Sequence, residues 1–311
     1  MAVRWSDLSS EDLRQSIVKP IRFHSQEISS ALDFKLSDES PSLFPCALKQ
    51  VGERLKTAIL PVGAVESHGS HLALGTDSFL VDGVLKVLRD QHAVEDEVRR
   101  AVVLPTLSIG ASTEHSSFCG TLTISDSTLI DLWFQVCESV RRSGLRRLIV
   151  LNGHGGQTQN VEILCRRLRF ELKMFAVGLH LQRAWNANEL FSESLLKYAM
   201  SPTFNKTSGL LPSASYDIHA GAIETSAMMY LMPEHVQNEK LTDHKSAYLE
   251  SPICPYGDDV MFGWKTEDLN ASGVVGDPTQ ASTEAGERLI NDAVQKLMNT
   301  IEFTNNSKEP S

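Results

Sequence analysis

The chain has 311 residues, 41% of them hydrophobic and 22% charged, with a mean hydropathy of −0.15. These values argue for a globular protein able to bury a large core and against disordered, collagen-like and low-complexity classes. Lys and Arg total 29 against 39 Asp and Glu, a net charge of −10 that works against binding phosphate backbones.

No apolar run reaches the roughly 18–20 residues of a membrane span. The opening MAVRWSDLSSEDLRQ carries acids and no apolar stretch, unlike a secretory signal, so a cytoplasmic protein with no nucleic-acid or membrane partner is expected. Between Ile17 and Glu53 there is no strong periodicity. Residues 1–56 read as an N-terminal segment packed on a main domain of residues 57–303, followed by a tail at 304–311.

Ala58 to Val62 reads as a buried strand that leads through Gly63 to a helix with Phe79, Leu80, Val84, Leu85 and Leu88 on one face. Val102 to Leu104 is a second strand, closed by Pro105. After a Gly/Ser/Thr-rich loop comes a helix with Leu129, Trp133, Val136, Cys137 and Val140 on its apolar side. Leu148 to Leu151 is the clearest strand, and Asn152 to Gly156 turn it into a helix carrying Val161, Leu164, Cys165 and Leu168. Met174 to Val177 is a fourth strand, and the last long helix is expected from about Thr279 to Ile301. Residues 201–215 and 245–260 are loop-rich. Arg141, Arg142, Arg146, Arg147, Arg166, Arg167 and Arg169 read as solvated helix faces. Strands alternating with crossover helices imply an α/β fold, a mostly parallel sheet covered by helices on both faces, with ligands beyond the carboxyl ends of its strands.

The unusual residues fall in those strand-end loops. Glu66, His68, His71 and Asp77 follow the first strand, and Gly69 and Gly75 let the backbone fold back so that Asp77 converges with Glu66 and His68. Mixed His and carboxylate donors suit Zn, Mn or Fe(II), the alternative being a solvated polar loop. Asn152-Gly153-His154-Gly155-Gly156 opens a helix. It lacks the GxGxxG spacing of a dinucleotide site, although a phosphate-binding turn stays open. His219 and Glu224 flank Gly221 ahead of an apolar helix and can share a cleft, or Glu224 can simply cap that helix. Gly110 to His115 forms a fourth cluster, in which His115 is either a substrate contact or an ordinary loop histidine. No GxSxG elbow is present, and nothing around Cys119 marks it as a nucleophile. The five cysteines are widely spaced without a CxxC pair, so neither a disulfide framework nor a zinc knuckle is expected.

In LPVGAVESHGSHLALGTD (60–77), PTLSIGASTEHSSFCGT (105–121), LNGHGGQTQNVE (151–162), HAGAIETSAMMYLMPE (219–234) and GVVGDPTQASTEAGERL (273–289) the chain resembles the creatininase family, with the blocks in the family's order. The resemblance implies a three-layer α/β domain with two divalent metal ions, often assembled into hexamers. On that basis Glu66, Asp77 and His154 hold one ion and His68 and Asp77 the other, with Asp77 bridging. In creatininase itself the second ion takes a further Glu two positions after the His of the NGH motif. Here that position is Gly156, and Glu224 is the best substitute carboxylate. The implied activity is cleavage of a C–N bond in an amide, cyclic amide or formamide by a metal-activated hydroxide, with His219 as proton carrier and Glu224 beside it. His115, Ser112, Gly155 and Tyr216 are the expected substrate contacts. A tryptophan that creatininase places shortly before the His of the fourth block is missing, Tyr216 being the only aromatic in that stretch, so creatinine is not the expected substrate. The alternatives are a metallopeptidase trimming a short precursor peptide and a non-catalytic metabolite-binding relative.

Overall fold

Both faces of the sheet are covered, which is why its strands read as continuous apolar runs rather than alternating ones. The computed structural model describes residues 55–185, 217–247 and 262–308. All but the last two positions of the expected N-terminal segment, the stretch 201–215 and Tyr216 lie outside the described residues.

In chain order the elements are β1 (Thr57–Val62), α1 (Thr76–His92), α2 (Asp96–Arg99), β2 (Ala101–Val103), α3 (Asp126–Arg142), β3 (Arg147–Asn152), α4 (Thr158–Glu171), β4 (Phe175–His180), α5 (Leu181–Ala184), α6 (Ala222–Leu231), α7 (Thr266–Leu269) and α8 (Thr283–Asn306). The sheet order is β2-β1-β3-β4, parallel throughout, with Val62 opposite Asn152 and Asn152 opposite His180. Side chains alternate between the faces. Ile59, Ile149, Leu151 and Leu179 pack with α1, α6 and α8, whereas Ala58, Leu60, Val62, Leu148 and Val150 pack with α3 and α4 around the fully buried Trp133. This is the expected three-layer α/β arrangement.

Cys137 is buried and Cys165 half-buried, and burial pushes both thiols up to about 12, as befits packing residues. Of the arginines, Arg167 lies over the Phe134 ring and pairs with Asp131 and Glu171 at the surface.

The last helix differs from the expected bounds at both ends. Pro278–Gln280 forms a separate 3-10 turn, and the Ser282 side chain accepts from Ala285 N–H at 3.1 Å to start α8 at Thr283. At the other end the helix passes the expected boundary at 303 and continues to Asn306. Asn305 is buried there, accepting from Thr57 Oγ1 at 2.8 Å and donating to the Glu97 carboxylate at 2.7 Å.

Candidate metal centre

The carboxyl ends of β1 and β3 are adjacent in the sheet, so the loops that follow them meet. After β1 the chain reverses at Gly69, whose φ of 72° is the left-handed conformation that glycine tolerates best. Glu66 N–H donates to Leu74 O at 3.0 Å, which closes the loop and brings Asp77, in the first turn of α1, against Glu66 and His68. After β3 the Asn152 side chain grips the next turn, donating to His154 O at 2.7 Å and accepting from His154 N–H at 3.1 Å. Gly153 lets this turn lie against α1, since a Cβ there would overlap the Asp77 carbonyl oxygen. Gly153 N–H is bonded to Val62 O. Two amides that a phosphate-binding turn would use are therefore already committed. His219 enters from the other side, paired backbone to backbone with Val275, and Glu224 in the first turn of α6 accepts from Ala220 N–H at 2.7 Å.

Four imidazoles surround Glu66. Its Oε1 lies 3.2 Å from His154 Nδ1, 3.5 Å from His115 Nε2, 3.7 Å from His219 Nδ1 and 3.9 Å from His68 Nε2. Each ring has its other nitrogen against a fixed acceptor: His68 on Glu66 O at 3.1 Å, His219 on Ser67 O at 2.7 Å, His154 on Ala111 O at 3.0 Å, and His115 on Thr266 Oγ1 at 2.8 Å. The Thr266 hydroxyl itself donates to Glu114 O, so it accepts from His115. The acceptors hold the ring protons on the outside, and the lone pairs face the carboxylates. This is how protein scaffolds hold metal-ligating imidazoles.

Both Glu66 oxygens, His68 Nε2 and Asp77 Oδ2 are buried without a hydrogen-bond partner among the described residues. Glu66 and His68 are 0% exposed and Asp77 1%. Buried ionic groups in that state cost several kcal/mol each unless a counter-charge joins them. The protonation balance agrees. Burial drives His68 down, but Asp77, Glu224 and Glu66 outweigh it and push the ring up to about 9. Burial likewise drives Asp77 up, yet His68 and His154 hold it below the ordinary carboxylate range. Burial raises Glu224 to about 7. Burial, then the neighbouring imidazoles, keep His115 and His219 well below the usual histidine value. The cluster thus draws positive charge onto nitrogens whose lone pairs face carboxylates, and a divalent cation satisfies the same demand. Three groups of donors lie within 4.8 Å of one another: Glu66, His68 and His219; Glu66, Glu114 and His154; and His68, Asp77 and Glu224. The residues present fit a metal centre.

Glu66, His68, Asp77, His154, His219 and Glu224 therefore converge as expected, and His115 joins them. Ser112, expected at the substrate, is fully buried behind the centre, with its Oγ 3.3 Å from His154 Nε2 and its N–H on Thr123 Oγ1; its hydroxyl is taken up in holding His154. Gly155 opens the 3-10 turn Gly155–Gln157 beside His154. Sequence reasoning passed over Glu114, whose Oε1 lies 3.4 Å from His154 Nε2. The available signal was its place next to His115, combined with the glycine at 156. His71, the other imidazole of the first cluster, is buried with Nε2 on Thr225 Oγ1 at 3.0 Å.

Residues 46–301 match the family described as Creatininase: Creatinine amidohydrolase. The chain belongs to the creatininase family. It is 28% identical over 255 residues to the mycofactocin precursor peptide peptidase of Mycolicibacterium smegmatis, covering 81% of this chain and 87% of that protein. Similarity to the creatinine amidohydrolase of Pseudomonas putida is 25% over 258 residues, 78% of this chain and 87% of the relative. Similarity to the 3-dehydro-scyllo-inosose hydrolase of Thermotoga maritima is 28% over 274 residues, 82% and 81% of the two chains. Among solved structures, "Creatininase Mn" shares the fold with a TM-score of 0.63 at 23% identity, covering 85% of this chain and 96% of that one. No helix among the described residues is long and apolar enough to cross a membrane.

Proposed function

We propose that this creatininase-family chain is a metal-dependent amidohydrolase that cleaves a C–N bond, in an amide, cyclic amide or formamide, of a small substrate. The observation that carries this reading is the Glu66 carboxylate, fully buried, without a hydrogen-bond partner on either oxygen and faced by four imidazoles. Glu66, Asp77 and His154 would hold one divalent ion, and His68, Asp77 and Glu224 the second. Zn, Mn and Fe(II) all accept such donors. A divalent ion held here supplies a Lewis acid for a carbonyl oxygen and a bound water whose pKa is brought to about 7.

The chain's own residues supply positioning and proton transfer. His219 Nε2–H donates to Ser67 O, which fixes the ring and leaves Nδ1 free to take a proton and deliver it to a leaving nitrogen. Burial and the nearby imidazoles keep that ring neutral between turnovers. Glu224, steadied by Ala220 N–H, faces His68 at 3.8 Å and closes the far side of the centre. Burial of the whole cluster lowers the local dielectric and strengthens each of these contacts.

The test is a panel of formamides, cyclic amides and short peptides, assayed with the protein as purified, after chelation and after reconstitution with Zn, Mn or Fe(II). Turnover that chelation abolishes and a metal restores supports the reading; no metal uptake and no turnover overturns it. The 28% identity to a precursor-peptide peptidase favours a second reading, a metallopeptidase acting on a short peptide, and peptides that outpace every small amide in the panel would establish it. A cytoplasmic homo-oligomer, hexameric as the family resemblance implies, belongs to the same proposal. Light scattering of the purified protein tests the assembly.

A further inference from the structure

Position 156, where the resemblance to creatininase implies a glutamate on the second ion, is glycine in this chain. The space beside Gly156 is not empty. A Cβ built there would fall far inside contact distance of Glu114 Oε1, and 2.6 Å from His154 Nε2. Glu114 comes from a different loop, the 3-10 turn Thr113–His115, and that turn is held firmly. His115 N–H donates to Ser112 O at 3.0 Å, and Thr266 at the start of α7 donates to the Glu114 carbonyl at 3.0 Å. From this turn the Glu114 carboxylate reaches over Gly156 to lie 3.4 Å from His154, and it forms a donor group with Glu66 and His154. Any side chain at 156 would collide with it.

We infer that Glu114 is a metal-holding residue of this chain, reaching from the 113–115 turn through the space that Gly156 leaves to the ion shared with Glu66 and His154. The inference rests on the metal-dependent reading above. Glu114 is then an added carboxylate for that ion, not a stand-in for Glu224. Glu224 belongs with His68 and Asp77, on the other side of the centre. Loss of Glu114 should therefore weaken one ion and spare the other. At 17% side-chain exposure, against 0% for Glu66, Glu114 is also the more open to solvent of the two carboxylates in its group. An incoming substrate would therefore meet it before Glu66.

Cobalt(II) titration, followed by its visible absorption and by elemental analysis, reads this out without any assay of turnover. The proteins compared are the wild type, Glu114→Gln and Glu114→Ala. Gln is isosteric, so folding is not at stake, and its amide oxygen still accepts from His154 Nε2–H while being a poor metal ligand. The expected result is that the wild type takes up two equivalents. Both variants should keep one at wild-type affinity and lose the other by at least about tenfold, the lower end of what removing even an outer partner of a ligand costs. Wild-type affinity and an unchanged spectrum in Glu114→Gln overturn the inference, including when Glu114→Ala is impaired, because Glu114 then only orients His154. A wild-type chain that takes up no cobalt overturns the metal-dependent reading itself, and so is distinct from a failure of Glu114 alone.

Discussion

Asp77 turns its Oδ2 toward His154 Nδ1 at 3.3 Å and its Oδ1 toward His68 Nε2 at 3.5 Å. The two oxygens of one buried carboxylate thus face the two halves of the centre, one through the loop after β3 and the other through the loop after β1. A residue in that position couples the halves. Asp77→Ala, purified without added metal, is expected to fall from about two ions per chain to none. Loss of a single ion would show that the halves fill independently. Elemental analysis against protein concentration measures this directly.

His219 is held by a different logic, with one nitrogen on a backbone carbonyl and the other toward Glu66. If its task is proton transfer, His219→Ala should lower kcat by about 10²–10⁴-fold while the metal content stays at the wild-type value. Steady-state kinetics on the reconstituted variant, paired with its metal analysis, decide between this role and ligation. Metal lost in step with activity would make His219 a ligand, as its place in a donor group with Glu66 and His68 also allows.

The parts of the centre legible in the sequence are those where chemistry and chain geometry coincide. Glu66, His68, Asp77 and His154 stand among glycines directly after apolar runs, and a parallel sheet brings such loops together at one edge. Glu114 was hidden because its role depends on the space left by Gly156, 42 positions away, and on α7, which steadies its turn. Helix ends were misjudged for a related reason. Thr304 and Asn305 are buried through polar contacts, which a search for apolar periodicity does not register, so α8 was expected to stop early. Asp217 carries no motif at all. Its place, half-buried against the first turn of α6 and beside Gly276, becomes visible only in the fold.

Gly286 in α8 tests the packing of the two helices behind the centre. Glycine within a helix ordinarily costs about 1 kcal/mol relative to alanine, so Gly286→Ala would stabilise an isolated helix. Here a Cβ would overlap the Ser226 carbonyl oxygen of α6 and lie 2.9 Å from Tyr230 Cβ. Backbone cannot swing aside as a flexible side chain does, so overpacking should win. Gly286→Ala is expected to destabilise the protein by about 1–3 kcal/mol. Urea unfolding of the two proteins at one pH measures the difference; a more stable variant would mean that α6 and α8 separate without cost.

Asp217 gives the pH prediction. Its carboxylate accepts from Ile223 N–H at 3.0 Å in the first turn of α6, but burial raises its pKa from 3.8 to about 7, with Asp277 adding to the rise. A carboxyl whose folded pKa lies above its unfolded value binds its proton more tightly in the folded state. Its stabilising contribution is therefore complete below about pH 4 and is lost as pH climbs through about 7. Asp217→Asn keeps an oxygen for the Ile223 amide and removes the ionisable group. The variant is expected to melt close to the wild type at pH 4 and above it at pH 8, with the gap opening between about pH 4 and 7. Thermal unfolding at a series of pH values, followed by circular dichroism, checks this. A gap that is constant with pH, or a variant that melts below the wild type at pH 8, would show that Asp217 remains ionised in the folded protein and that its charge serves the N-terminus of α6.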